Sequence, residues 1–222
     1  SFPMSSMQEE LEIYNLLGYL VIPNALELAQ VDEINAAIDS DLVQPSPFWT
    51  EREEGQVALN VHMLLSCEAM AVRMRPPTLM PPLEGILRGG ICVEEHSARI
   101  RKPFDRESYC NWHRDGGGWP GMPAIPPYHT HYVPVAFHLT NVDERKHTFS
   151  VLPGSGQIED LPSLANYDLN NAHHIEGAKV TAIIFNGGNV RKTDRERRTI
   201  HIYCGRSSAP PISNYTISPC RL

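Results

Sequence analysis

Apolar residues recur at near-helical spacing twice near the start of the chain. Gln8 to Leu17 carries Leu11, Ile13, Tyr14 and Leu17, and Gly18 then stops the pattern before a short apolar run over Tyr19 to Ile22. This order predicts helix, glycine stop, strand. Pro23-Asn24 breaks the strand, and Leu26 to Asp39 resumes helical spacing through Leu28, Val31, Ile34 and Ile38. Between Asp41 and Pro82 the texture is mixed. A helix around Leu64 to Arg75 is expected there, with a proline-rich exit at Pro76, Pro77, Pro81 and Pro82.

Beyond Pro82 the period changes. Short apolar or alternating segments at Gly90–Ile100, Tyr132–Leu139, Thr148–Leu152, Val180–Phe185 and Thr199–Cys204 are separated by turn residues, the spacing of a β-sandwich or barrel. The Gly- and Pro-rich stretch Gly116–Pro127 and the polar stretch Gln157–Glu176 read as long loops, which in a compact domain tend to carry function. There is no internal repeat. One domain over residues 1–222 is expected, its helical part covering about 1–82 and its β core about 90–205.

Composition narrows the functional classes. Hydrophobic residues make up 41% and charged residues 20% of the 222, which excludes collagen-like, coiled-coil and wholly disordered chains. The formal charge of −7 speaks against a nucleic-acid binder, which gains affinity by neutralising phosphates with Lys and Arg. No apolar run approaches the ~20 residues of a membrane-spanning helix, and the start lacks the basic-then-apolar order of a secretory signal. A cytoplasmic protein acting on a small molecule is the expectation. The five cysteines are scattered and form no Cys-x-x-Cys pair, so they read as reduced, structural thiols.

The candidate chemistry centres on Asn111-Trp-His-Arg-Asp115, followed by three glycines. On an extended segment residues two apart share a face, so His113 and Asp115 can offer a nitrogen and an oxygen to one metal ion. With a distant His they would form the facial triad of non-haem Fe(II) oxygenases. In isolation the same word also suits an ordinary surface loop.

Several further words accompany it in order. Leu17 to Asn24 resembles the N-terminal helix-to-strand entry of the phytanoyl-CoA dioxygenase family, and Trp112–Asp115 resembles that family's ligand word. Val135–Asp143 through Val151-Leu-Pro-Gly-Ser155 resembles its strand, turn and Pro-Gly-Ser segment, and Thr193–Tyr203 its closing strand. The resemblance implies a double-stranded β-helix, or jelly roll, with the N-terminal helices packed outside. It also implies Fe(II) at His113 and Asp115, with 2-oxoglutarate and O₂ consumed as an unactivated C–H bond of a metabolite is hydroxylated, desaturated or rearranged. Retention of Asp115 argues against halogenation, which needs a small residue there. Matching the closing strand residue by residue makes Arg197 the partner of the distal carboxylate of 2-oxoglutarate, a task suited to a planar guanidinium. Strand alternation then turns Arg198 to the other face, where it joins Arg191, Lys192 and Arg195 in a solvated basic turn.

The match breaks at the third ligand. The family His lies about six residues after the position of Phe185 and about eleven before that of Arg197. Those counts reach Arg191 and Asn186, and the interval between Phe185 and Arg197 falls about five residues short of the family pattern. A shortened loop, residues absent between Val190 and Lys192, or a substitute such as His201 are the competing explanations; absent residues are the expectation, because the flanking words are intact. The rival to an enzyme is a non-catalytic jelly-roll binding domain without the third ligand, and a zinc hydrolase of cupin type is a more distant alternative. Asn60 and His62 are expected near the cosubstrate end, and Trp119 is a candidate lid residue. The remaining histidines, His138 among them, read as structural or solvated.

Overall fold

The computed structural model describes residues 4–67, 70, 75–110, 112, 132–155, 168–184, 189–190, 193–206 and 220–221. Helix α1 (Met4–Leu17) ends at Gly18, whose φ of 84° lets its N–H return to the Tyr14 carbonyl at 2.8 Å. Strand β1 (Leu20–Ile22) follows. Helix α2 (Leu28–Leu42) opens with a capping box between Glu27 and Gln30 and buries Val31, Ile34 and Ile38, the stripe that its spacing predicts.

The unassigned stretch holds a hairpin of β2 (Trp49–Arg52) and β3 (Val57–Asn60). Of the helix expected over Leu64–Arg75, the described residues show one turn, α3 (Met63–Ser66), which ends where Cys67 turns extended at φ −141°. The proline-rich exit is instead the start of α4 (Met80–Leu87). Pro81 and Pro82 occupy its first turn, where proline's missing N–H has no intrahelical partner to lose.

Strands β4 (Ile91–Arg101), β5 (Tyr109–Cys110), β6 (Tyr132–His138), β7 (Phe149–Val151), β8 (His173–Ile175), β9 (Ala182–Ile184), β10 (Asn189–Val190), β11 (Arg197–Arg206) and β12 (Cys220–Arg221) complete the chain. The major sheet runs β1-β9-β6-β11-β4-β3-β2 with β12 beside β4, and every pairing is antiparallel. Two smaller ladders, β10-β5 and β7-β8, stand apart from it, and β7-β8 packs against its inner face. The architecture is a jelly roll with helices packed outside it. β8 lies inside the stretch expected to be loop: two histidines in a row hide a strand whose pairing, Ser150 opposite His174, is entirely non-local.

Alternation along the central strands separates two environments. Val135, Phe137, Ala182, Ile184, Ile200 and Ile202 point outward into one apolar core shared with α2 and α4. Burial of each such branched side chain contributes about 1.5–3 kcal/mol. The opposite face of the same strands lines the interior of the roll, where Ala136 and Ile183 meet Phe149, Val151 and Ile175 of the β7-β8 ladder. Between β4 and β11 that inner face is polar, and this polarity places the site.

Candidate active site in the jelly-roll interior

β11 presents Arg197, Thr199, His201 and Tyr203 inward, and the register sets them opposite Arg101, Arg99, Ser97 and Glu95 of β4. A buried polar face is unfavourable unless its groups find partners. Their partners differ in kind.

Arg101 is held by Glu53 through two hydrogen bonds of 2.6 and 3.0 Å, and Tyr109 donates its hydroxyl to the same carboxylate at 3.3 Å. The Arg101 hydrogen bond holds the Glu53 carboxyl below its ordinary range, against an opposing effect of burial. Glu53, Glu54 and Gly55 all have positive φ (49°, 54° and 84°) in the β2–β3 turn, a left-handed run uncommon for glutamates. Arg99 donates Nη2 to the Tyr203 hydroxyl at 2.9 Å.

Arg197 is different. It is 5% exposed, and neither Nε nor Nη1 has a hydrogen-bond partner among the described residues. Its guanidinium carbon sits 4.6 Å over the Phe149 ring. Burial first, and then the charges of Arg101 and Arg99, depress its pKa to about 9, with Glu53 pulling the other way. A guanidinium so placed is a ready acceptor of an anion that brings both negative charge and lone pairs.

Phe149 is the hub of the opposite wall. Its ring lies 5.4 Å from His201 and 6.1 Å from His138, the latter parallel within 14°. His201 shares a hydrogen bond of 3.1 Å with Thr199 Oγ1, and burial together with the nearby arginines holds its pKa well below the ordinary value. It is a neutral imidazole inside the roll. His138, expected to be structural or solvated, is fully buried on the inner face opposite Thr199.

Other expected site residues fall elsewhere. Asn60 pairs with Ala98 on the helix side of the sheet, where it donates to Ser66 Oγ at 2.9 Å and accepts from the His62 N–H at 2.8 Å. Asn60 therefore stabilises the entry to α3 rather than lining the interior. Arg198 points away from Arg197, yet it is not solvated. Two hydrogen bonds of 2.7 Å tie it to Asp39 of α2 and to Glu196, leaving the side chain 18% exposed. His113, Asp115, Trp119, Phe185, Asn186, Arg191 and Lys192 lie outside the described residues, as does the link from Val190 to Arg191. Among the described residues no group of three or more His, Cys, Asp or Glu could hold a metal. β5, which ends three residues before His113, pairs with β10, placing Asn189 opposite Cys110.

A cleft of about 400 Å³ borders Glu53 and Tyr109 together with Glu54, Phe104, Arg106 and Glu107. Its cation is already engaged: Arg106 lies 3.6 Å from Glu54 and 5.2 Å over Phe104. Of the interior groups, Thr199 and His201 were within reach of the sequence, since they continue Arg197's parity along one strand. Arg99 and Arg101 alternate in the same way. Glu53, Phe149 and His138 carry no local signal, because their roles depend on pairings across the roll.

Solved structures share this architecture at low identity. The nogalamycin-biosynthesis epimerase SnoN, a non-haem α-ketoglutarate-dependent protein, superposes with a TM-score of 0.76 at 11% identity, covering 98% of this chain and 96% of its own. EctD from S. alaskensis, in its apo form, gives 0.74 at 15% identity over 95% and 80%. HygX from Streptomyces hygroscopicus, with nickel and 2-oxoglutarate bound, gives 0.66 at 12% over 92% and 89%. No protein of curated function matches the chain in sequence. The family model described as phytanoyl-CoA dioxygenase (PhyH) matches residues 14–201, which include the helical entry, the inner strands and Arg197, and the chain therefore belongs to the phytanoyl-CoA dioxygenase family.

Proposed function

We propose that this protein is an Fe(II)- and 2-oxoglutarate-dependent oxygenase that hydroxylates, or desaturates or rearranges, an unactivated C–H bond of a small-molecule metabolite. The observation that carries this reading is Arg197, a buried guanidinium with two unpartnered nitrogens on the inner wall of a family jelly roll. Those nitrogens suit the distal carboxylate of 2-oxoglutarate, and Thr199, two residues on, offers a hydroxyl on the same face. SnoN and HygX, which share the fold, have been crystallised with α-ketoglutarate or 2-oxoglutarate.

His113 and Asp115 would hold the iron, an imidazole nitrogen and a carboxylate oxygen being a suitable donor pair for it. Bound iron supplies the activation of O₂. The chain's own residues bind and orient the cosubstrate: Arg197 anchors it, Phe149 closes one wall, and the Arg101–Glu53 pair keeps a second cation from competing for the carboxylate. No described helix is long and apolar enough to cross a membrane. We expect the protein to act in the cytoplasm.

Conversion of 2-oxoglutarate to succinate by the iron-loaded protein tests this reading. Asp115→Ala and His113→Ala should abolish it while far-UV dichroism stays unchanged. Unchanged turnover by Asp115→Ala would sink the assignment. The second reading, a non-catalytic binding domain, is favoured by the lack of a His between Phe185 and Arg197. It expects 2-oxoglutarate binding without turnover at any iron concentration.

A further inference from the structure

Among the described residues, Arg197 (Nε and Nη1), His138 (both ring nitrogens) and Ser97 (Oγ) are inner-face side chains at least nine-tenths buried with polar atoms outside hydrogen-bond geometry. Arg197 is accounted for by the cosubstrate. His138 is not, and its position is tightly determined. Its N–H donates to the Thr181 carbonyl at 2.9 Å, and its carbonyl accepts from the Val180 N–H at 3.1 Å. Its ring stacks 6.1 Å from the ring of Phe149, whose face also carries the Arg197 guanidinium at 4.6 Å. In register it stands opposite Thr199, two residues along β11 from Arg197.

An imidazole buried with neither nitrogen in good hydrogen-bond geometry carries a largely unmet desolvation cost, which a fold tolerates where a ligand offsets it. Burial first, and then the charge of Arg197, hold the His138 pKa at about 3, with a long backbone hydrogen bond to Gly177 acting the other way. The ring is therefore neutral at working pH and presents one N–H donor and one acceptor nitrogen. Beside the planar guanidinium, a fixed neutral donor on the facing strand adds a second direction from which a carboxylate is held. Apolar packing alone would be served equally well by Phe or Leu.

We propose that His138 donates its ring N–H to the distal carboxylate of 2-oxoglutarate alongside Arg197, so that cosubstrate recognition depends on a histidine of the facing strand as well as on the arginine. This inference rests on the 2-oxoglutarate reading above. His138 is a binding residue in that scheme, distinct from the iron ligands.

The test is anaerobic titration of the iron-loaded protein with two ligands, 2-oxoglutarate and 2-oxopentanoate, the second lacking only the distal carboxylate. His138→Phe keeps the stack on Phe149 and removes the donor; His138→Gln keeps an N–H. His138→Phe should bind 2-oxoglutarate about 10- to 100-fold more weakly, the scale of a hydrogen bond to a charged group, with 2-oxopentanoate affinity unchanged. His138→Gln should recover most of the loss. Wild-type-like 2-oxoglutarate binding by His138→Phe, or equal losses for both ligands, would overturn the role of His138 while leaving the cosubstrate reading intact. If His138→Phe fails to fold, the same comparison is made with His138→Gln and with His138→Leu. Failure of the folded wild-type protein to bind 2-oxoglutarate at all would overturn the functional reading and this inference with it.

Discussion

Replacing Arg197 by Met should make the protein more stable in the absence of 2-oxoglutarate and blind to its presence. The side chain is 5% exposed, two of its nitrogens lack partners, and the charges of Arg101 and Arg99 oppose its own. Its pKa of about 9 leaves it charged at neutral pH, so the fold holds a desolvated cation whose Nε and Nη1 lack partners among the described residues and which only Glu53 favours electrostatically. Exchanging such a charge for an apolar side chain of similar volume stabilises by about 1–4 kcal/mol in buried ionic sites. Against this stands the contact with Phe149 at 4.6 Å, worth about 0.5–2 kcal/mol, part of which the Met sulfur recovers on the same ring. The net gain is then of the order of 1–3 kcal/mol, or a rise in Tm of about 2–10 °C for a chain of this length. Cosubstrate at a hundred times its Kd should stabilise the wild type by about 2.7 kcal/mol and Arg197→Met by nothing measurable. Thermal melts with and without 2-oxoglutarate decide the matter. An Arg197→Met protein that melts well below the wild type without cosubstrate would show that the guanidinium is compensated in the fold. A retained 2-oxoglutarate shift would show that the anchor lies elsewhere.

The remaining expectations are more local. Arg198→Ala removes hydrogen bonds to Asp39 and Glu196, whose side chains are 60% and 41% exposed, so solvent screening of those carboxylates limits the loss to about 1 kcal/mol by urea titration; 2-oxoglutarate affinity should not change. A methyl group at Gly205 would meet the Glu94 carboxylate, and Gly205→Ala should cost about 1–3 kcal/mol unless that carboxylate swings aside, which the melt of the Gly205→Ala, Glu94→Ala double variant would reveal by recovery. His96 and His138 stay neutral in the fold, with pKa values near 4 and 3 through burial, whereas in the unfolded chain they protonate near 6.5. The unfolded state thus takes up protons first, and stability should fall as pH drops from about 6.5 toward 4, by roughly 3 kcal/mol per pH unit for the two together. Urea midpoints that stay level between pH 6.5 and 4.5 would contradict their neutral burial.

Local periodicity was enough to locate the first two helices, because an amphipathic stripe such as Val31, Ile34 and Ile38 is written within one turn of its neighbours. It was also enough for the inward and outward alternation of β11. Arg197 and Arg198 differ in parity by one, and one step along a strand exchanges interior for exterior. The iron word His113–Asp115 was legible as chemistry, though its geometry lies outside the described residues. What the sequence alone could not determine was which distant segments meet. Pro81 and Pro82 read as a break until α4 used them as its first turn. Asn60 read as a cosubstrate residue until pairing with Ala98 turned it toward the helices. His138 read as one histidine among ten until β6 and β11 paired and brought it to the Phe149 ring beside Arg197. Helix spacing and strand parity are properties of neighbouring residues. The neutral or charged state of a side chain, and whether its polar atoms find partners, depends on groups dozens of positions away, as the pairing of Glu53 with Arg101 shows; only the closed roll brings those groups together.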